Sequence, residues 1–187
     1  MVNLEVIAKY KKENIFLTAK TNSEEVRIRS AKLEDIPWLH QSSSIDPGVL
    51  RNTVEYFSKS TRAIMFILES EYGRFGEMSL TNICDRGTGE YIWVRRMSKN
   101  IAKGGMTVSL KEISRFAFEE IGLENLTLNV FADNQKALDF YSKTGFIAKK
   151  TSLAPEYDAV TKNKNSKEKT RRYLITMELT KERLISQ

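Results

Sequence analysis

Two rhythms of apolar residues alternate along the chain. Val26–Ser30 (VRIRS) switches between apolar and basic residues at almost every step, the period of a half-buried strand. In LEDIPWLHQSS, the acids Glu34 and Asp35 and Pro37 stand where a helix begins and its first N–H groups lack acceptors. Asp46-Pro47-Gly48 breaks the chain, and VLRNTVEYFSKS then carries apolar residues at 49, 50, 54 and 57, which is helical spacing. Three strand-like runs follow, Ala63–Glu69, Phe75–Ile83 and Glu90–Met97, with turns at Tyr72-Gly73 and Arg86-Gly87-Thr88-Gly89; such short connections predict an antiparallel meander. The rhythm then changes. Apolar residues at 108, 110, 113, 116, 117, 118 and 121 predict a helix over Thr107–Ile121, closed by Gly122. LTLNVFA (126–132) reads as a strand, and Asn134–Lys143 as a helix stopped by Gly145. FIAKKTSL and RRYLITMEL, either side of the polar stretch 155–170, read as the last strands.

A meander followed by strand–helix–strand units predicts an α/β (α+β) fold, a mixed sheet with helices on its faces. Residues 1–25 carry two apolar patches, LEVIAKY and NIFLTAK, separated by KKEN. They read as an N-terminal extension, either a hairpin added to the sheet edge or a loosely held arm, ahead of a single domain over 26–187.

Length and composition narrow the function. A chain of 187 residues suits one domain and buries roughly 70% of its unfolded surface. No run approaches the ~18 apolar residues of a membrane span, and no small-residue cleavage site follows the N-terminal apolar stretch, so a cytoplasmic protein without a membrane partner is expected. Cys84 is the only cysteine and His40 the only histidine. An intramolecular disulfide and a cysteine-rich metal site are thereby excluded, a zinc enzyme or histidine triad is disfavoured, and no metal is expected. The net charge is +6. Between Lys149 and Arg172 eight Lys or Arg (149, 150, 162, 164, 167, 169, 171, 172) face three acids (156, 158, 168). This segment reads either as a solvated loop or as a surface attracting an anionic substrate or RNA. A DNA-binding domain is not suggested, because the basic residues do not lie on a recognition helix.

MSKNIAKGGMT (97–107) ends a strand, passes two lysines and two adjacent glycines, and opens a helix. A helix N-terminus is an anion site, and glycine lets backbone approach a phosphate. The same stretch is also a plain turn, and neither a Walker loop nor a dinucleotide fingerprint is present.

Taken together, Glu90–Phe146, and above all AFEEIGLENLTLNVFADNQKALDFYSKTGF (117–146), resembles the GNAT superfamily of acetyl-CoA-dependent N-acetyltransferases. It is similar to the ribosomal-protein alanine acetyltransferases and the nucleotide-aminosugar acetyltransferases of that superfamily. VRIRSAKLEDIPWL resembles the family's first strand and helix, and GEMSLTNI its third strand. The resemblance implies a splayed, mostly antiparallel sheet with acetyl-CoA as co-substrate between the strand ending near Met97 and the strand from Leu126. Val94, Arg95 and Met97 would contact the pantetheine arm through their backbone, and N–H groups around Val94–Arg96 would stabilise the oxyanion. The pyrophosphate would rest on Lys99, Lys103, Gly104, Gly105, Met106 and Thr107. The family pattern Gln/Arg-x-x-Gly-x-Gly/Ala falls on Ile101, Gly104 and Met106, of which Gly104 alone matches. Asn134 matches an asparagine that contacts pantetheine. Tyr141 matches the tyrosine that protonates the departing thiolate; without the resemblance it reads equally as a packed aromatic.

An attacking amine must shed a proton. Glu90, which aligns with Glu-Tyr pairs in relatives, is the first choice of base, ahead of Glu77 and His40; Glu90 also reads as a surface carboxylate, and Trp93 reads as core. The acceptor expected is a primary amine of a small molecule such as a nucleotide-linked aminosugar, whose diphosphate the basic segment 149–172 would hold. A peptide acceptor, the N-terminal alanine of a ribosomal protein, is the alternative. An inert GNAT-like module binding RNA or protein is the alternative of another class. A homodimer is compatible with such sheets.

Overall fold

A computed structural model describes residues 1–98, 103–154 and 172–186. The elements run in the predicted order. Helix α1 (Leu4–Lys12) and strands β1 (Leu17–Lys20) and β2 (Glu25–Ser30) lead, by way of a 3-10 turn, to α2 (Ile36–Ser43) and α3 (Pro47–Lys59). The meander is β3 (Ile64–Ser70), β4 (Gly73–Cys84), β5 (Thr88–Tyr91) and β6 (Arg95–Arg96). Helix α4 (Gly105–Glu119), β7 (Asn125–Phe131), α5 (Gln135–Lys143), β8 (Ile147–Leu153), β9 (Tyr173–Thr180) and α6 (Lys181–Ile185) complete the chain. The sheet order is β1-β2-β3-β4-β5-β7-β9-β8, with β6 on β4. Its pairs are antiparallel except β5 with β7.

β3 is apolar at nearly every position because both faces are covered. Ile64, Phe66 and Leu68 face a large core formed with α1, α4 and the later strands. Ala63, Met65 and Ile67 face a second, smaller core under α2 and α3. β4 divides the same way, with a difference. Met78 and Leu80 join the large core, whereas Glu77, Ser79 and Thr81, also buried, point to the α2–α3 side. Their side follows from register, since Glu77 pairs with Ile67 and Ser79 with Met65, and directly opposed residues share a face.

The N-terminal segment departs from expectation. LEVIAKY is a helix, not half of a hairpin, because its apolar residues Ile7 and Tyr10 fall on one helical face and both are buried in the large core. NIFLTAK supplies β1, which does form an edge hairpin with β2. A loosely held arm is not observed. Tyr10 donates to the Ile28 carbonyl at 2.9 Å, and Lys11 Nζ donates to the carbonyls of Phe57 (2.5 Å), Ser60 (2.5 Å) and Ala63 (2.6 Å), fixing the end of α3.

The second departure concerns Glu90–Met97, expected as one strand. It breaks between β5 and β6. Tyr91 pairs with Leu80 and Arg95 with Glu77, so three residues, Ile92, Trp93 and Val94, stand opposite two, Met78 and Ser79. That extra residue is a β-bulge, which bends the strand and leaves backbone groups unpaired.

Candidate active site

The bulge coincides with a parting of the sheet. The parallel ladder of β5 and β7 runs from Thr88/Asn125 to Tyr91/Leu128 and stops. Beyond it, β7 continues to Phe131 on β9 alone, while the other strand continues as β6 on β4. A gap therefore opens between Ile92–Arg96 and Asn129–Phe131. The Ile92 N–H donates to the Ser79 carbonyl (3.0 Å), and the Met97 N–H to the Phe75 carbonyl (2.7 Å). Among the described residues, no backbone carbonyl accepts from the Trp93 or Val94 N–H of the bulge. Of the residues expected to offer backbone contacts, Val94, Arg95 and Met97, the last has its N–H engaged by Phe75.

Helix α4 starts beside the gap. It begins at Gly105, two residues earlier than the apolar pattern predicts, so Gly105, Met106 and Thr107 form its first turn and Lys103 and Gly104 the turn before it. Gly104 has φ +95°, which favours glycine, and a Cβ built there would meet nothing within 4 Å. An anion site at a helix N-terminus needs such room beside its first N–H groups. Met106, where the pattern wants a small residue, is accommodated from below. Its sulfur lies 3.0 Å from where a Cβ on Gly76 would stand, and the Arg95 carbonyl lies 2.8 Å from that point, so Gly76 makes room for both. Lys99 and Ile101 lie outside the described residues, as do 155–171 of the basic segment. Of its described cations, Lys149 pairs with Glu178 (2.9 Å), and Arg172 pairs with Asp133 (2.8 Å) and stacks on Phe131 at 3.6 Å.

Asn134 caps α5, its Oδ1 accepting from the Ala137 N–H at 3.2 Å. Its amide NH2 points out from an exposed residue, so capping and a ligand contact are compatible. Tyr141 packs against the large core, edge-on to Phe146 at 5.9 Å, and Phe146 meets Tyr91 of β5 at 6.3 Å. The ring is packed, and its hydroxyl has no hydrogen-bond partner among the described residues, an arrangement compatible with a packed aromatic and with an acid alike. Burial pushes its pKa up to about 12. It is therefore a protonated phenol at neutral pH.

Glu90 lies on the opposite face, because it pairs with Thr81 of the α2–α3 side. Asn82 donates to its Oε2 (2.8 Å) and Asn129 to its Oε1 (3.0 Å); Thr176 donates in turn to Asn129 (2.7 Å). Near it, between α3 and β4–β5, runs a groove of about 550 Å³ lined by Tyr56, Phe57, Thr81, Asn82, Ile92 and Trp93. Trp93, expected as core, is half-buried and forms its wall, 6.2 Å from Phe57 and under the Arg95 guanidinium. His40 is exposed, and its Nδ1 is held by the Ile45 carbonyl at 2.7 Å in its own loop. A larger groove of about 900 Å³, around Glu24, Arg27, Glu71 and Arg74, shares none of these residues.

Sequence reasoning placed Glu77, with His40, behind Glu90 and did not find its surroundings. Glu77 is wholly buried beside the bulge and ion-paired with Arg95 of β6. Burial pushes its pKa up against the lowering effect of Arg95. The available signal was the polar period-two row Glu77, Ser79, Thr81 inside an otherwise apolar strand.

No protein-family profile matches the chain, and no curated protein matches it in sequence. Solved structures do match in shape. The spermidine N-acetyltransferase SpeG from Vibrio cholerae, in a crystal structure with CoA and spermine, superposes with a TM-score of 0.71 at 13% identity, over 86% of this chain and 98% of that one. A probable acetyltransferase superposes with a TM-score of 0.70 at 18% identity, over 88% of this chain and 97% of that one. A chimera of the same SpeG with hSSAT gives 0.70 at 14% identity, over 87% and 99%. The chain has the GNAT fold. The bulge and the divergence of β5–β6 from β7 are the splayed sheet that the GNAT resemblance implied. Among the described residues no group of His, Cys, Asp or Glu is placed to hold a metal, and no helix is long and apolar enough to cross a membrane.

Proposed function

We propose that this protein transfers the acetyl group of acetyl-CoA to a small, cationic primary amine. One observation carries the reading: the splay at the bulge has a protonated phenol, Tyr141, on one face and carboxylates on the other. The first turn of α4 would take the pyrophosphate, and Asn134 the pantetheine arm. The N–H groups of Trp93 and Val94 would receive the developing oxyanion of a thioester lying in the plane of the sheet. The amine would approach from the α2–α3 face and the thiol would leave toward α5. Tyr141 would protonate the leaving thiolate. Its raised pKa does not forbid this, because the burial that raises the phenol raises a thiol in the same place.

The groove suits a cation. The rings of Tyr56 and Phe57 and the Glu90 carboxylate, held by the lining residue Asn82, attract an ammonium, and no lysine lines the groove. These features favour an alkyl amine over a nucleotide-linked sugar or a peptide. That the similar Vibrio cholerae enzyme holds spermine supports the same class.

The test begins with a thermal-shift titration with acetyl-CoA against desulfo- and dephospho-CoA. A saturable rise in Tm is expected, followed by thiol release with alkyl mono-, di- and triamines. Tyr141→Phe should lower kcat by about 10²–10⁴-fold and leave the CoA-induced shift unchanged. An unshifted wild-type Tm removes the enzymatic reading and leaves the inert module; an unaltered rate in the variant removes Tyr141 as the acid.

A further inference from the structure

Two side-chain oxygens on the α2–α3 face are buried and lack a hydrogen-bond partner, Glu77 Oε2 and Ser79 Oγ. Their residues stand two apart on one strand, hence on one face, with backbones roughly 7 Å apart and both side chains directed to the same side. A buried polar atom left unpaired costs about 1–3 kcal/mol, so two side by side mark a place that something polar fills. The next residue on that face is Thr81, which lines the aromatic groove. Met78 and Ser79 are also the residues directly opposite the bulge. The row Thr81–Ser79–Glu77 thus runs from a residue that lines the groove to the stretch of β4 opposite the bulge.

From this placement we propose that Ser79 Oγ and Glu77 Oε2 receive the reacting nitrogen of the acceptor, and that Glu77 is the group that takes its proton. The inference deepens the acetyl-transfer reading and rests on it. It moves the base from Glu90, the sequence choice, to a carboxylate on the neighbouring strand. Glu90 has both oxygens engaged by the Asn82 and Asn129 amides, whereas Glu77 keeps one oxygen open. Electrostatics agrees. Arg95 already neutralises Glu77, so an ammonium entering this buried place brings a net positive charge, which is relieved once Glu77 has taken the proton and passed it to solvent. Burial also raises Glu77 toward the range in which a carboxylate works as a base.

The steps balance. Glu77 takes one proton from the ammonium, and the freed amine attacks the thioester carbonyl. The C–N bond forms, the C–S bond breaks, and the thiolate takes the Tyr141 proton. The second nitrogen proton, lost as the adduct becomes an amide, restores the phenol by way of solvent. Glu77 discharges to solvent, so one proton is released per turnover.

Two variants test this, with the amine that the wild-type protein turns over fastest in the panel above. Glu77→Gln should lower kcat/KM for that amine by about 10²-fold or more while the acetyl-CoA thermal shift persists. Ser79→Ala guards against misfolding of the first variant. It removes an unsatisfied buried hydroxyl, so Tm should hold or rise, yet KM for the amine should rise about 3–10-fold. Wild-type kinetics in both variants, with CoA still bound, would mean that a water fills the pair; that result overturns this inference and leaves acetyl transfer standing. A wild-type protein that shows no CoA shift, or turns over no amine, overturns both.

Discussion

The two faces of the sheet are built on opposite plans. On the α1–α4 side, Ile28, Phe66, Leu68, Phe75, Met78, Leu80 and Leu126 meet Ile7, Tyr10, Leu110, Ile113 and Phe116 in one continuous apolar core. On the α2–α3 side the apolar cluster is smaller, and the strand beside it presents Glu77, Ser79 and Thr81, buried and polar. The first face follows what hydrophobic burial favours at each position. The second accepts two unpaired oxygens and a buried charge, which burial alone would select against. Natural folds break such rules chiefly where a ligand makes up the difference. In the proposed reaction the apolar face would take part only at its margins, through Tyr141 and the first turn of α4, whereas the polar face would take part through its interior.

The largest effect expected is on the apolar side. Phe66 is fully buried and meets Tyr10 edge-on at 5.8 Å. Phe66→Ala should cost about 3–5 kcal/mol in a denaturant titration, with activity per folded molecule retained. If instead the loss were below ~1 kcal/mol, the contrast between the faces would collapse, because the large core would then not carry the stability assigned to it.

Next comes the margin at Tyr141. Its pKa of about 12 in the fold stands above the value near 10 of an unfolded tyrosine. Between these values the folded state holds the proton that the unfolded state has lost. The contribution is therefore fully present below pH ~10 and is lost as pH rises through about 12, roughly 2–3 kcal/mol in all. Tyr141→Phe should flatten that stretch of the stability–pH curve. The phenolate absorbance lost in the variant should titrate near 12; an inflection near 10 would place the hydroxyl in water and weaken its role as an acid over the thioester.

The contrast also explains what could be read from the sequence. Period and punctuation, which burial dictates, located the strands, the helix pair, α4 and α5. LEVIAKY was read as part of a hairpin or an arm because seven residues are too few to fix a period, and the helix is secured by distant contacts, Tyr10 with Phe66 and Phe116. The bulge was invisible in EYIWVRRM, since it is a difference of count between two strands and no residue type announces it. Tyr141, Asn134 and Gly104 were legible through the local pattern around them. The pairing of Glu77 with Arg95 was not, because it joins β4 to β6 across that same bulge. Glu90 was the choice of base because its dipeptide is local, while its two amide partners, on β4 and β7, were not legible.

The smallest effect on stability belongs to the other margin. Gly104 precedes α4 with φ +95°, and a Cβ there would touch nothing. Alanine or valine at this position therefore loses only the cost of a left-handed backbone, about 1–2 kcal/mol, a Tm decrease of a few degrees. A plain turn predicts that this is all, and that acetyl-CoA still raises the Tm of both variants. A phosphate seat predicts more, because the empty space above Gly104 is then the space the pyrophosphate needs. Gly104→Val should lose the acetyl-CoA shift, and Gly104→Ala, with its smaller side chain, should keep part of it. Graded loss in that order, set against the small and similar stability changes, would separate the anion site from the turn. Equal shifts in wild type and both variants would move the pyrophosphate away from α4 and leave the splay and Tyr141 to account for cofactor binding alone.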